Sequence, residues 1–180
     1  SQTATTNETI RAAVLAGPAA ISAGAGGAAA SGSGVLAIKK IATDVKAMIS
    51  TASNVTAASV SLTADDTSRI LAYGGAASVS GGFGAVGVAV SIGASIAHNQ
   101  IDNAVEASIT DSTVTTTSGA ISVEALEHAQ INAVTAAASL SVGIGAVGVS
   151  ISGAGAEASN VILTKTNAFA EDSTLNSPGP

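Results

Sequence analysis

Residues Gly81–Ser91 read GGFGAVGVAVS. Gly82, Gly84 and Gly87 have the G-x-G-x-x-G spacing of a dinucleotide-binding turn, and Asp102 lies 20 positions beyond Gly82, near the place of a ribose-binding acid. Such a turn must open a helix whose N-terminus holds the pyrophosphate. Gly87 leads instead into VAVSIG, which alternates as a strand does and contains no helix-forming run. Glycine alternating with Val or Ile leaves one strand face nearly free of side chains. Another backbone can then approach closely, at an entropic cost in the unfolded chain. The glycines read as packing positions.

The surroundings of this stretch recur. INAVTAAASLSVGIGAVGVSIS (Ile131–Ser152) falls on ILAYGGAASVSGGFGAVGVAVS (Ile70–Ser91) at an offset of 61, and TNAFAEDSTL (Thr166–Leu175) falls on VEASITDSTV (Val105–Val114) at the same offset. A more diverged first copy is visible in IATDVKAMIS (Ile41–Ser50) against IDNAVEASIT (Ile101–Thr110), at an offset of 60. VSLTA (Val60–Ala64) likewise matches ISVEA (Ile121–Ala125). Gly143, Gly145 and Gly148 repeat the glycine spacing, but Leu163 stands where Asp102 stood, and the first copy, AGAGGAAASG, loses the spacing. A site acid outside the repeated pattern speaks against a cofactor.

The chain therefore divides into copies at about 1–60, 61–121 and 122–180, expected to form one repetitive domain over residues 1–180. Ser1 is in phase with Ser61 and Ser122, and Pro180 with Gly119, so close to three whole periods are present. Within a copy the period is two: Val105, Ala107 and Ile109 alternate with Glu106 and Ser108, and Val86, Val88, Val90 and Ile92 alternate with smaller residues. Strand runs broken by DST, TSG and SPG turn chemistry predict an all-β parallel β-solenoid (β-helix) with a Gly/Ala/Val-rich core of small side chains. Sixty residues is long for one coil, so three coils of roughly 20 residues per copy are expected. One segment competes. Val35–Ser50 places Ile38, Ile41, Val45 and Met48 at helical spacing. Its counterparts HNQIDNAVEAS and NVILTKTNAFA lack that stripe, which favours strand and leaves a local helix in the first copy open.

Composition narrows the function classes. Of 180 residues, 47% are hydrophobic, 10% charged and 2% aromatic, which fits neither a Leu/Phe-centred globule nor a disordered chain. A net charge of −6 with no basic patch makes nucleic acid an unsuitable partner. No cysteine is present, which excludes disulfides and thiolate metal sites and fits a secreted bacterial surface protein. Ile70–Ala97 carries no charge and is long enough to span a bilayer, as is Gln130–Ala156. Ser and Gly interrupt both, large aliphatics are sparse, and aromatic girdles are missing, so membrane insertion is not expected.

No catalytic, cofactor or metal site is expected. GGFGAV has Val where a calcium-binding β-roll repeat needs Asp. Asp65-Asp66, Asp111 and Glu171-Asp172 are read as solvated turn acids, with calcium the alternative. His98 and His128 are isolated and read as surface or turn histidines. TVTTTSG (Thr113–Gly119) has alternate threonines, as ice-binding ladders do, but its counterparts NVTAAS and TLNSPG break the ladder. Tyr73, Phe83 and Phe169 are too few to build a convincing sugar platform.

The arrangement A-x-S-[VL]-S…G-x-G-A-V-G-V-x-[VI]-S…N-x-I…A-x-x-x-D-S-T-[VL], at Ala77–Val114 and Ala138–Leu175, resembles the β-strand-repeat region of giant bacterial surface adhesins of the filamentous-haemagglutinin-like or leukotoxin-like kind. The resemblance covers nearly the whole chain. It implies a right-handed parallel β-solenoid in a fibrous, adhesive extracellular molecule, and brings no catalytic residues with it. The expected role is a structural, non-enzymatic cell-surface module that self-associates end to end through open β edges, SQTATTNETI pairing beyond Pro180. The alternative is a module that binds a carbohydrate or a host surface, with surface glycans as partners. A polysaccharide-active enzyme is a weaker third reading.

Overall fold

The computed structural model describes residues 1–51 and 54–179. Among these the elements are all strands: β1 (Gln2–Ala16), β2 (Ala19–Ser50), β3 (Val55–Ala57), β4 (Val60–Thr110), β5 (Thr113–Thr116), β6 (Ile121–Ile144), β7 (Val147–Glu171) and β8 (Thr174–Asn176). Val35–Ser50 is strand throughout. Its apparent helical stripe splits between two faces, with Ile41 and Val45 buried and Ile38 and Met48 exposed. Two-residue periodicity wins because each strand presents alternate residues to opposite sides.

Every strand pairing is parallel. β1 and β2 pair with β4 at an offset of 60 (Gln2↔Leu62, Ala19↔Val79), and β4 pairs with β6 and β7 at 61 (Val60↔Ile121, Val86↔Val147). The short strands form a separate sheet in the order β3-β5-β8. These registers correct the expectation of 20-residue coils. The hydrogen-bonded neighbour of a residue is its counterpart in the next copy, so a full 60-residue copy passes before the chain returns to its own side.

Within each copy the chain folds back on itself. Ser78 Oγ lies 2.7 Å from Ser91 Oγ, although 13 positions separate them. The reversal falls at Gly84-Ala85, and pairing is interrupted at the equivalent Gly145-Ala146. The limb 60–82 buries its even positions and the limb 87–109 its odd ones, so two long sheets face each other. Side-chain size grades the space between them. Far from the bend, Leu62, Val105, Ile109 and Val114 form the largest apolar cluster. Ile41, Ile70 and Ile101 form a second. Nearer the bend come Ser78 and Ser91, and finally Gly82 and Gly87. The cross-section is a wedge, thick at the β3-β5-β8 sheet and thin at the bend.

The thin end confirms the packing role of the glycines. A β-carbon on Gly87 would stand 2.6 Å from the carbonyl oxygens of both Gly82 and Ile144, closer than side-chain carbons approach. At Gly82 and Gly84 it would collide with the backbone carbonyls of Val88 and Gly24. At the thick end, Thr51, Asp111 and Asp172 close equivalent corners with φ of 51°, 49° and 48°. Three non-glycine residues in the left-handed region at one corner mark a turn that the surrounding pairing enforces.

Candidate functional site: open strand edges and a buried carboxylate cluster

Alternation decides which groups each sheet presents. Asp66 and Ser68 point inward from one limb of β4, and Asn103 points inward from the other, so they meet between the sheets. Asp66 is fully buried. Its Oδ2 accepts from Asn103 Nδ2 at 2.7 Å and from Ser68 Oγ at 2.7 Å, and its Oδ1 accepts from Thr43 Oγ1 at 3.1 Å. Asn103 Nδ2 also reaches Ser68 Oγ at 2.9 Å and Glu127 Oε1 at 3.2 Å, while its Oδ1 accepts from the Thr43 backbone N–H at 3.2 Å. Glu127 is the register partner of Asp66 in the neighbouring run. Its carboxyl is pushed above the usual carboxylate range, chiefly by burial and further by the Asp66 charge, against the opposing hydrogen bond from Asn103.

This placement overturns the reading of Asp65-Asp66 as turn acids: both lie well inside β4. A short DD pair looks like turn chemistry, but here Asp66 faces the interior and Asp65 the outside. Asp111, Glu171 and Asp172 do sit at corners. Among the described residues, no three or more His, Cys, Asp or Glu side chains come together in a metal-holding group. Asn103 Nδ2, a donor, occupies the middle of the buried cluster, so the oxygens there already converge on a hydrogen-bonding amide. The cluster is chemically suited to holding two sheets in one register.

The histidines lie on the surface of strands, not in turns. His98 Nε2 is 3.9 Å from Glu157 Oε1, and His128 Nδ1 is 3.5 Å from Asp65 Oδ1, all four side chains being substantially exposed. Asp102 pairs with Lys40 at 3.5 Å on the surface and is remote from the Gly82–Gly87 bend, the opposite of what a nucleotide would need. Tyr73 and Phe83 share the outer side of one limb but stand ten residues apart, roughly 33 Å at about 3.3 Å per residue. They do not form one platform.

The chain matches no protein-family model, no curated protein and no solved structure. The features open to interaction are thus those of the fold itself. Among the described residues β1, β2, β6 and β7 each pair only with β4, so the far edge of every one of them is unpaired there. Toward the bend, polarity is inverted. Inward positions are small or hydroxyl-bearing (Gly74, Ala76, Ser78, Ser91, Gly93, Ser95), whereas outward positions include exposed Tyr73, Val79, Phe83, Val86 and Ile92. The charge-free stretches 12–38, 70–97 and 129–156 all lie in this half. The stretches stand out in the sequence, but alternation alone does not say which set of residues faces out.

Proposed function

We propose that the chain is a structural, non-enzymatic module of an extracellular fibre: a parallel β-solenoid of about 60 residues per coil that stacks end to end through its open edges. The carrying observation is the pair of unpaired edges, β1–β2 on one side and β6–β7 on the other, related by uniform parallel registers of 60 and 61. Unpaired N–H and C=O rows are templates for another chain. Here the rows at both ends have the same direction and phase, so a second copy extends the ladder without inverting it. Side-chain rows would continue too. Asn99 Nδ2 already donates to Asn160 Oδ1 at 2.8 Å, and Lys39, in the same row, offers a buried Nζ without a hydrogen-bond partner among the described residues. A following copy would set that ammonium over the Asn160 side chain. The resemblance to surface adhesins fits this role, as do the absence of cysteine and the anionic, weakly charged surface.

Electron microscopy and light scattering of the purified chain test the reading. Fibres that lengthen with concentration are expected. Dispersed monomers at high concentration would sink it.

A further inference from the structure

The two facing sheets are staggered along the stacking direction. Thr43, on the returning limb of the first run, reaches Asp66 on the outgoing limb of the second at 3.1 Å. Asn103, one run further on, reaches Asp66 at 2.7 Å and Glu127 of the third run at 3.2 Å. A β-carbon on Gly93 would likewise meet backbone carbonyls of both Ala76 and Ala138. Each returning limb therefore lies in the seam between two outgoing limbs. Burial along one row shows the consequence. Ile41 and Ile101 are 5% and 0% exposed, clustered with Ile10, Ile70 and Ile131, whereas Ile162, at the same position of β7, is 46% exposed. The inward side chains of β7 from Ser150 to Ala170 are all exposed. Among the described residues β7 has an outgoing limb, β6, on one side of its seam only. At the opposite end β1 is an outgoing limb with one side free, and Gln2, Glu8 and Val14 on its inner face are exposed.

We propose that the inner face of β7 seats against the inner face of β1 of a second copy, a contact that rests on the end-to-end stacking proposed above and makes its joint a side-chain seam as well as a backbone ladder. Continuing the observed registers sets Ile131, Ala133 and Ala137 beside Ile10, Ala12 and Ala16 of the second copy. β1 thus brings to β7 the same residues that cover the buried returning limbs. Ile162 then lies between Ile131 and Ile10 of the second copy, as Ile101 lies between Ile70 and Ile131. Thr164 faces Glu127, whose Oε2 is buried without a hydrogen-bond partner among the described residues. On the outside Lys165 comes beside Asp44 of the second copy, an opposite-charge pair directly in register. Within one chain Ala104 keeps these two apart. An occupant of this seam must also supply a strand of the same direction to the free edges of β6 and β7, and a second copy does so.

Ile162 is exposed in the single chain, so Ile162→Lys should fold as the parent does, with unchanged circular dichroism. Light scattering should show its end-to-end association weakened at least about 30-fold. Leu163→Lys, on the outer side of the same strand and 53% exposed, should associate as the parent does. Equal behaviour of the two lysine variants, whether both associate or neither does, overturns the seam; association of both leaves stacking by edges alone standing. A parent that stays monomeric at high concentration overturns the stacking itself, and the seam with it.

The register has its own test, because the chain has no cysteine. Asp44→Cys/Lys165→Cys, oxidised, should give a ladder of covalent oligomers, since register partners lie within disulfide reach. Inside one chain these positions are two strand spacings apart, about 9.6 Å, which is beyond such a bond. Lys165→Cys alone should remain uncrosslinked. Its ready conversion to a disulfide dimer would mean that two β7 faces meet each other, and would overturn the proposal.

Discussion

The side-chain amide of Asn103 donates to the buried Asp66 carboxylate at 2.7 Å, across two facing sheets and 37 positions of sequence. The same nitrogen reaches Ser68 and Glu127, so one amide ties together both limbs and two adjacent runs.

Replacing that amide should be costly. Asn103→Leu leaves Asp66 and Glu127 without their shared donor, Asp66 keeping only Ser68 and Thr43, and stability to urea is expected to fall by about 1–3 kcal/mol, the usual cost of removing one partner from a buried hydrogen-bonded group. The double variant Asp66→Leu/Asn103→Leu should recover part of this, because it removes the fully buried carboxylate itself, while Ser68, Thr43 and Glu127 still lose a partner. A double variant as unstable as the single one would show that the cluster acts through packing.

The Glu127 carboxyl predicts a pH dependence with a definite sign. Its folded-state affinity for the proton is raised above the ordinary value of 4.5, so over the interval just above that value the folded state binds more protons than the unfolded one. The contribution to stability is full below the ordinary value and is lost as pH rises through the folded one. Unfolding midpoints should therefore decline on going from acidic toward neutral pH. Glu127→Gln should flatten that decline while keeping an acceptor for Asn103. An unchanged slope in the variant would place the effect on another group.

Glycines of similar sequence context should differ sharply. Gly87→Ala puts a methyl group against two carbonyl oxygens at 2.6 Å and is expected to destabilise by roughly 2 kcal/mol or more, as overpacking does. Gly153→Ala meets nothing within 4 Å and should be neutral or mildly stabilising, through the entropy of the unfolded chain. Thermal unfolding of the two variants side by side reads the difference. Similar losses would mean that the sheets separate easily at the thin end.

The left-handed corner at Asp111 discriminates by residue type. Asp111→Asn should be tolerated within about 0.5 kcal/mol, whereas Asp111→Val should cost about 1–2 kcal/mol, because a β-branched side chain clashes in that region. Denaturant midpoints decide it; equal effects would show that the corner relaxes.

Much of this architecture was legible in the residues. Ile70–Ser91 against Ile131–Ser152 defines the period, and the observed strand registers reproduce it. Period-two alternation identified the strands, including Val35–Ser50, where the counterpart segments outweighed a local helical stripe. The run after Gly87 removed the nucleotide reading on local grounds. These features are local or arise by comparison of the chain with itself, and both kinds of information are written along one dimension. Three other features required the fold. Alternation is symmetric, so nothing in VGVAVSI says whether its valines or its small residues face inward. The answer comes from the bend at Gly84-Ala85, where only glycine-sized groups fit between facing backbones. Asp66 resembled a turn residue until the opposite limb supplied Asn103, a partner 37 positions away that no window of sequence contains. The offset between paired strands depended on which copy hydrogen-bonds to which. That choice belongs to backbone pairing between distant segments, and only the tertiary structure decides it.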